Sequence, residues 1–200
     1  MAYTGFIEEN NFVDIHESAD VKTCNFNVRG KNNRVVVERN AIIRNSRIEI
    51  LSDNNDIVIS SGCRITANII MKITDKNELR IGKNTSCGGA NIICGEGTKI
   101  IIGDECMLAW GIEIRSTDSH SIIDKITGAR VNSAEDIKIN NHVWVGAHAT
   151  ILRGTLIPED SIVGIRAVVK KRITERGSVI VGSPAKVVKE GVTWDRQLMG

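Results

Sequence analysis

Ile139-Asn140-Asn141-His142-Val143-Trp144-Val145-Gly146-Ala147-His148-Ala149-Thr150-Ile151-Leu152-Arg153-Gly154-Thr155-Leu156-Ile157 is the stretch that decides the fold. An aliphatic residue falls at every sixth position, at Ile139, Val145, Ile151 and Ile157, and the beat continues through Val163 and Val169. Four residues after each of the first five stands a small or β-branched residue: Val143, Ala149, Thr155, Ser161 and Ala167. An amphipathic helix repeats near 3.6 and a half-buried strand near 2, so a strict six fits neither as one continuous element. It fits a triangular coil in which each flat side uses one hexapeptide, three sides close a turn, and turns stack around a shared aliphatic core.

The same beat runs upstream with interruptions. Val36, Ile42 and Ile48 read as one triplet, followed by Ile57, Cys63 and Ile69, then Ile81, Cys87 and Ile93, then Ile102, Leu108 and Ile114. These coil starts are spaced 21, 24 and 21 apart. The excess over a bare coil falls near Ser52-Asp53-Asn54-Asn55 and Thr74-Asp75-Lys76-Asn77, both turn-forming in composition. An all-β parallel β-helix of about six or more coils is therefore expected over residues 31–190. Residues 1–30, with scattered apolar positions at Phe12, Val13, Ile15, Val21 and Phe26, are expected as an irregular N-terminal cap, and 191–200 as a C-terminal tail.

Bulk properties agree. Of the 200 residues 42% are hydrophobic and 25% charged, while aromatics are only 4%, a bias toward short strands. The net charge of +2 gives no case for nucleic acid or a membrane surface. The first residues lack the basic and apolar segments of a signal peptide, and no apolar run approaches the roughly 20 residues that span a bilayer. A cytoplasmic protein without integral membrane contact is expected. The five cysteines, Cys24, Cys63, Cys87, Cys94 and Cys106, form no CxxC pair and read as reduced thiols, with Cys63 and Cys87 taking small apolar places in the core.

One interruption is larger than the rest. From Ile102 to Ile139 is a step of 37, so a long segment at about 115–138 must leave the prism. Long loops ejected from a rigid scaffold are where binding and chemistry are placed, and this one contains His120, one of four histidines. Trp144 adjoins a core position and by alternation points outward, which is costly unless a ligand or an interface covers it. His142 and His148 fall on successive faces and point different ways; with no three histidines converging, no metal site is expected.

The hexapeptide frame, Asp118-Ser119-His120, Val143-Trp144-Val145-Gly146-Ala147 and Gly182-Ser183-Pro184-Ala185-Lys186-Val187-Val188 together resemble the hexapeptide-repeat, left-handed β-helix O-acetyltransferases. The likeness covers roughly residues 80–190. It is nearest to the galactoside/maltose acetyltransferases and to the capsule and lipopolysaccharide O-acetyltransferases, including those of polysialic acid. The resemblance implies acetyl-CoA as co-substrate, a sugar or other hydroxyl-bearing acceptor, and a homotrimer with sites between neighbouring prisms. It makes His120 the general base, a role that suits an imidazole whose ordinary pKa lies near neutrality. Asp118 or Asp124, or a group from another coil or subunit, is then the partner that orients it. Trp144 is placed beside the reacting groups or the pantetheine. Gly146 and Ala147 leave room for that arm, and Lys170, Lys186 and Lys189 face the phosphates. Where the family shows a run of small residues, this chain has Gly164-Ile165-Arg166, so Ile165 adds bulk beside the arm and Arg166 offers a cation. Acetylation of a small molecule, N-acetylation of an amino sugar and a non-catalytic assembly protein are the alternative readings.

Overall fold

The computed structural model describes residues 3–200 and contains strands, bends and turns with no helix among them. Eight triangular turns stack into a parallel solenoid of the left-handed β-helix type. The first coil is β1 (Tyr3–Ile7), β2 (Phe12–Ile15) and β3 (Asp20–Lys22); the second is β4 (Cys24–Val28), β5 (Arg34–Val37) and β6 (Ile42–Arg44). The third begins with β7 (Arg47–Ile50) and β8 (Asp56–Ile59), and β9 (Arg64–Lys72) bends from it into the fourth. After β10 (Glu78–Ile81), β11 (Ser86–Gly95) makes the same bend into the fifth coil, which holds β12 (Lys99–Ile102) and β13 (Met107–Leu108). The sixth coil is β14 (Ile112–Arg115), β15 (Ile137–Ile139) and β16 (Trp144–Val145), and the seventh β17 (Thr150–Leu152), β18 (Leu156–Ile157) and β19 (Ile162–Val163). In the eighth, β20 (Val168–Val169) and β21 (Val179–Gly182) are followed by β22 (Ala185–Lys189), which turns back antiparallel on β21.

Pairing defines the register. Ile15, Val37, Ile59, Ile81, Ile102, Ile139 and Ile157 lie opposite one another down one face. The steps along this column are therefore 22, 22, 22, 21, 37 and 18. The C-terminal frame is as expected, with Ile139, Val145, Ile151, Ile157, Val163 and Val169 all fully buried. Upstream, the expected register is corrected at four positions, although Ile57 is itself buried in the core. Val35 and Val37 are buried in place of Val36, and Ile43 in place of Ile42. Ile59, not Ile57, pairs with Ile81. Ile92 takes the core place of Ile93, because a register shift between Cys87 and Ala90 moves the strand by one. The N-terminal 30 residues were expected to be irregular, yet β1, β2 and β3 pair in parallel with β4, β5 and β6.

The 22-residue period has a physical cause. Each of the early coils extends one corner, between its first and second faces, and fills it with a buried asparagine. Asn33, Asn55 and Asn77 are each about 1% exposed. Asn55 donates its backbone N–H and its Nδ2 to Asn33 Oδ1 at 2.9 and 2.8 Å, and Asn77 repeats both bonds to Asn55 Oδ1 at 3.0 and 2.8 Å. Asn11 Oδ1 receives Asn33 N–H above, and Asn77 Oδ1 receives Gly97 N–H below. The side-chain amides thus do at this corner what a strand ladder does on the faces, satisfying buried polar groups coil by coil. Tighter corners are turned by left-handed residues, among them Asn40, Asn45, Asn84, His142 and His148; asparagine is enriched in that region of backbone space.

Candidate active site

The ejected segment leaves from the asparagine-ladder corner, after Arg115 and before Ile137. Residues of the coils on either side hold it. Above it, Glu96 accepts both guanidinium nitrogens of Arg130 at 2.5 and 3.0 Å and the hydroxyl of Thr117. Below it, Arg153 donates to Asp118 Oδ2 at 3.1 Å, to Glu135 Oε1 at 2.7 Å and to the carbonyl of Ser133 at 3.2 Å. At its centre Asn132 is buried and fully used. Its Nδ2 donates to the His120 carbonyl at 2.8 Å and to Asp118 at 2.9 Å, and its Oδ1 accepts from Ile122 N–H at 2.7 Å and Arg130 Nε at 3.2 Å. The result is a pinned loop that presents the exposed His120 side chain.

Asp118 and Asp124, the expected orienting carboxylates, are both occupied elsewhere in this chain. Asp118 faces Asn132 and Arg153. Burial pushes its carboxyl up, but those hydrogen bonds and the charges of Arg153 and Lys170 outweigh it and leave the pKa below the usual value. Asp124 caps its own turn, accepting from the N–H groups of Thr127 and Ile126 and from the Thr127 hydroxyl. Glu96 is likewise held low by the Arg130 hydrogen bond, with burial opposing. Asn132, Arg153 and Glu96 were not singled out from sequence, since they lie 12, 33 and 24 positions from His120.

At the opposite end of the first face, the corner after the third face forms an apolar groove of about 550 Å³. Met107, Ala109, Trp110, Ile162 and Val163 line it together with Trp144, Gly146, Ala147, Gly164 and Ile165. The last five were all expected beside an acyl carrier. Gly146 is required by stacking as much as by a ligand, because a Cβ there would lie 2.8 Å from Ile165 N. Trp144 forms one wall and is backed by the tail, where Trp194 stacks on His142 at 4.5 Å and tilts against Trp144 at 6.2 Å. Arg196 continues the strap to Ser86 Oγ and the Cys106 carbonyl, each at 2.8 Å.

The other expected cations are spread out. Arg166 turns the corner next to Ile165 in the left-handed conformation. Lys170 lies on the loop side, near enough to Asp118 to influence its charge. Lys186 and Lys189 stand exposed on β22 at the C-terminal end. Between Arg166 and Lys189 the basic residues Arg166, Lys170, Lys171, Arg172, Arg176, Lys186 and Lys189 outnumber the one acidic residue, Glu175, and although Arg176 is paired with Glu159 and Asp160, this end of the prism is electropositive. An uncharged groove leading to a basic end fits a long thioester arm carrying phosphates.

A left-handed prism with one pinned histidine loop and one apolar corner groove defines the class of hexapeptide-repeat acyltransferases. Comparison with known proteins agrees. No family model matches the chain. The chain is 37% identical over 120 residues to a polysialic acid O-acetyltransferase of Neisseria meningitidis, covering 60% of this chain and 56% of that one. It is 30% identical over 116 residues to the polysialic acid O-acetyltransferase of Escherichia coli O1:K1 / APEC, covering 58% and 38%. The aligned part thus spans about half or less of these curated relatives. The crystal structure of the polysialic acid O-acetyltransferase OatWY superimposes with a TM-score of 0.89 at 36% identity, over 98% of this chain and 92% of that one. The chain belongs to the hexapeptide-repeat, left-handed β-helix O-acetyltransferase family.

Proposed function

We infer that the protein transfers acetyl from acetyl-CoA to a hydroxyl of a sugar, in a bacterial surface glycan. The observation that carries this is the apolar corner groove, which fits the pantetheine arm and has the basic C-terminal end for the phosphates. His120 takes the acceptor hydroxyl proton as the oxygen attacks the acyl carbon, and returns it to the departing thiolate as the C–S bond breaks. The names of the relatives make sialic acid polymers the first acceptors to assay. Acetyl-CoA is made in the cytoplasm, and the reading carries that location with it.

His120 and the groove lie at opposite ends of the first face, which is β14 in the sixth coil. That strand is four residues long, or roughly 13 Å. A single chain therefore does not bring them together, whereas threefold packing brings the loop of one chain to the groove of the next. The exposed Ile122, Ile123, Ile126 and Val131 give that loop an apolar surface for the contact.

The test is release of free CoA from acetyl-CoA by purified protein with a panel of surface glycans. His120→Ala should lower turnover by about 10²-fold or more with an unchanged unfolding midpoint. Near-normal turnover in that variant would exclude the mechanism. Chains carrying His120→Ala, mixed and reassembled with chains carrying Ala109→Arg in the groove, should regain activity if the site is shared.

A further inference from the structure

A second groove runs along the same prism edge toward the N-terminus. It consists of two adjoining hollows of about 640 and 590 Å³ that share Asn45, Ala67 and Asn68. Its wall is one outward column, Thr4, Asn25, Arg47, Asn68, Asn91 and Glu113, each residue opposite the next on successive coils. Five coil steps of about 4.8 Å make it roughly 24 Å long. Its chemistry differs from that of the acyl groove. Amides and hydroxyls replace aliphatic side chains, with small residues such as Gly89 and Ala90 in its lining.

Charge within the groove is balanced internally. Arg47 is paired with Glu49 at 2.5 Å, and Glu113 lies 3.6 Å from Arg115. The amides form a chain in which Asn68 Nδ2 donates to Asn91 Oδ1 and Asn91 Nδ2 to Glu113 Oε2, both at 2.8 Å. At the head of that chain Asn68 Oδ1 is buried with no donor among the described residues. An unmet buried acceptor is costly, and a hydroxyl donor reaching it after a small turn of the amide would relieve that cost.

The two grooves meet at Trp110. This residue lines the acyl groove, is 62% exposed, and stands over Gly89; its neighbour Gly111 lines the polar groove. A flat exposed indole at the mouth of a hydroxyl- and amide-lined groove is a platform for the apolar face of a pyranose ring.

We propose that the edge from Thr4 to Glu113, ending at Trp110, binds the acceptor as an extended chain of uncharged sugar units and feeds it toward the acyl groove. The proposal rests on the glycan-acetylating reading above and narrows it. A groove without surplus cations suits a neutral, hydroxyl-rich polymer better than a polyanion, which would need unpaired Arg or Lys along its path.

The experiment is binding of the full-length chain, without acetyl-CoA, to an array of neutral and acidic glycans, followed by titration of the bound series by length. Neutral oligosaccharides should bind more tightly as they lengthen. Thr66→Trp, which fills the groove, and Asn68→Ala should each weaken that binding fivefold or more. Trp110→Ala should do the same. Acetyl-CoA binding by Thr66→Trp and Asn68→Ala should not change, nor should their unfolding midpoints. The proposal is overturned if no neutral oligosaccharide binds, if only polyanions bind, if monomer and oligomer bind alike, or if Thr66→Trp instead changes the size of the protein in solution, which would assign the groove to a second copy. Failure here leaves acetyl transfer to short acceptors intact, whereas loss of transfer with groove binding retained would sink the activity alone.

Discussion

Asn132 Nδ2 donates to the main-chain carbonyl of His120 at 2.8 Å, and the same amide accepts Ile122 N–H at 2.7 Å. One buried side chain thus grips the backbone of the expected base and of the residue two beyond it, from 12 positions away. The imidazole itself is left exposed and without a partner bond among the described residues, so its placement rests on the backbone that carries it.

Asn132 is therefore a positioning residue. Asn132→Ala removes four hydrogen bonds and leaves buried donors and acceptors unmet. Turnover should fall on the order of 10²-fold, as expected when a catalytic group moves by about an ångström. The KM for acetyl-CoA should stay near its original value, because the groove is at another corner. A change confined to KM would show that the amide has no part in holding His120. Asn132→Asp keeps the acceptor oxygens and should recover only part of the loss.

The asparagine ladder should account for a sizeable part of the stability of the N-terminal half. Asn55→Leu leaves Asn77 N–H without an acceptor in a buried corner, at a cost of about 1–3 kcal/mol, and takes one bond each from Asn77 Nδ2, which keeps the Thr74 carbonyl, and Asn33 Oδ1, which keeps the backbone N–H of residue 55. Chemical denaturation should show a drop of at least about 2 kcal/mol. Loss of hydrogen-exchange protection should concentrate in the neighbouring coils, since a solenoid transmits stability between nearest neighbours. An unchanged midpoint would mean that water replaces the ladder at no cost.

These two features also show what the chain discloses by its pattern alone. The C-terminal coils are legible because nothing is inserted in them, so the aliphatic beat of six runs unbroken from Ile139 to Val169. Upstream, Val35-Val36-Val37, Ile42-Ile43 and Ile92-Ile93 are apolar on both sides of the strand, so alternation does not tell the inward residue from its neighbour. The signal that would have corrected the register is polar. Asn11, Asn33, Asn55 and Asn77 recur at 22, and an asparagine at a fixed step marks the corner that aligns the coils. His120 and the groove glycines were visible because they sit in local motifs. Glu96, Asn132 and Arg153 were not, because their meeting depends on how three successive coils stack.

The five thiols should be chemically silent in the folded protein. All are buried, and burial pushes Cys63 up to about 12 and Cys87 and Cys106 to about 11. The thiolate is the reactive form, so at pH 8 a disulfide reagent should modify none of them over the time in which an unfolded control reacts completely. Rapid labelling of Cys87 in the native state would show that the coil bend at β11 opens.

The loop clamps give a pH dependence whose direction follows from Glu96 and Asp118. Both carboxyls are held below their ordinary values in the folded chain. A depressed carboxylate contributes its full stabilisation above its unfolded pKa, about 4.3 for Glu and 3.9 for Asp, and loses it as pH falls through the folded value. Loop protection should therefore be flat from pH 8 to about pH 5 and weaken only below about pH 4. Hydrogen exchange at the Ser119 and Ile122 amides, corrected for intrinsic rate, is the readout, because both bonds lie inside the clamped segment. Glu96→Gln keeps the shape, removes one titrating partner of Arg130, and should both loosen the loop at neutral pH and flatten its acid response. If protection of the wild-type loop instead disappears between pH 5 and 8, a histidine controls the loop and the two carboxylates do not.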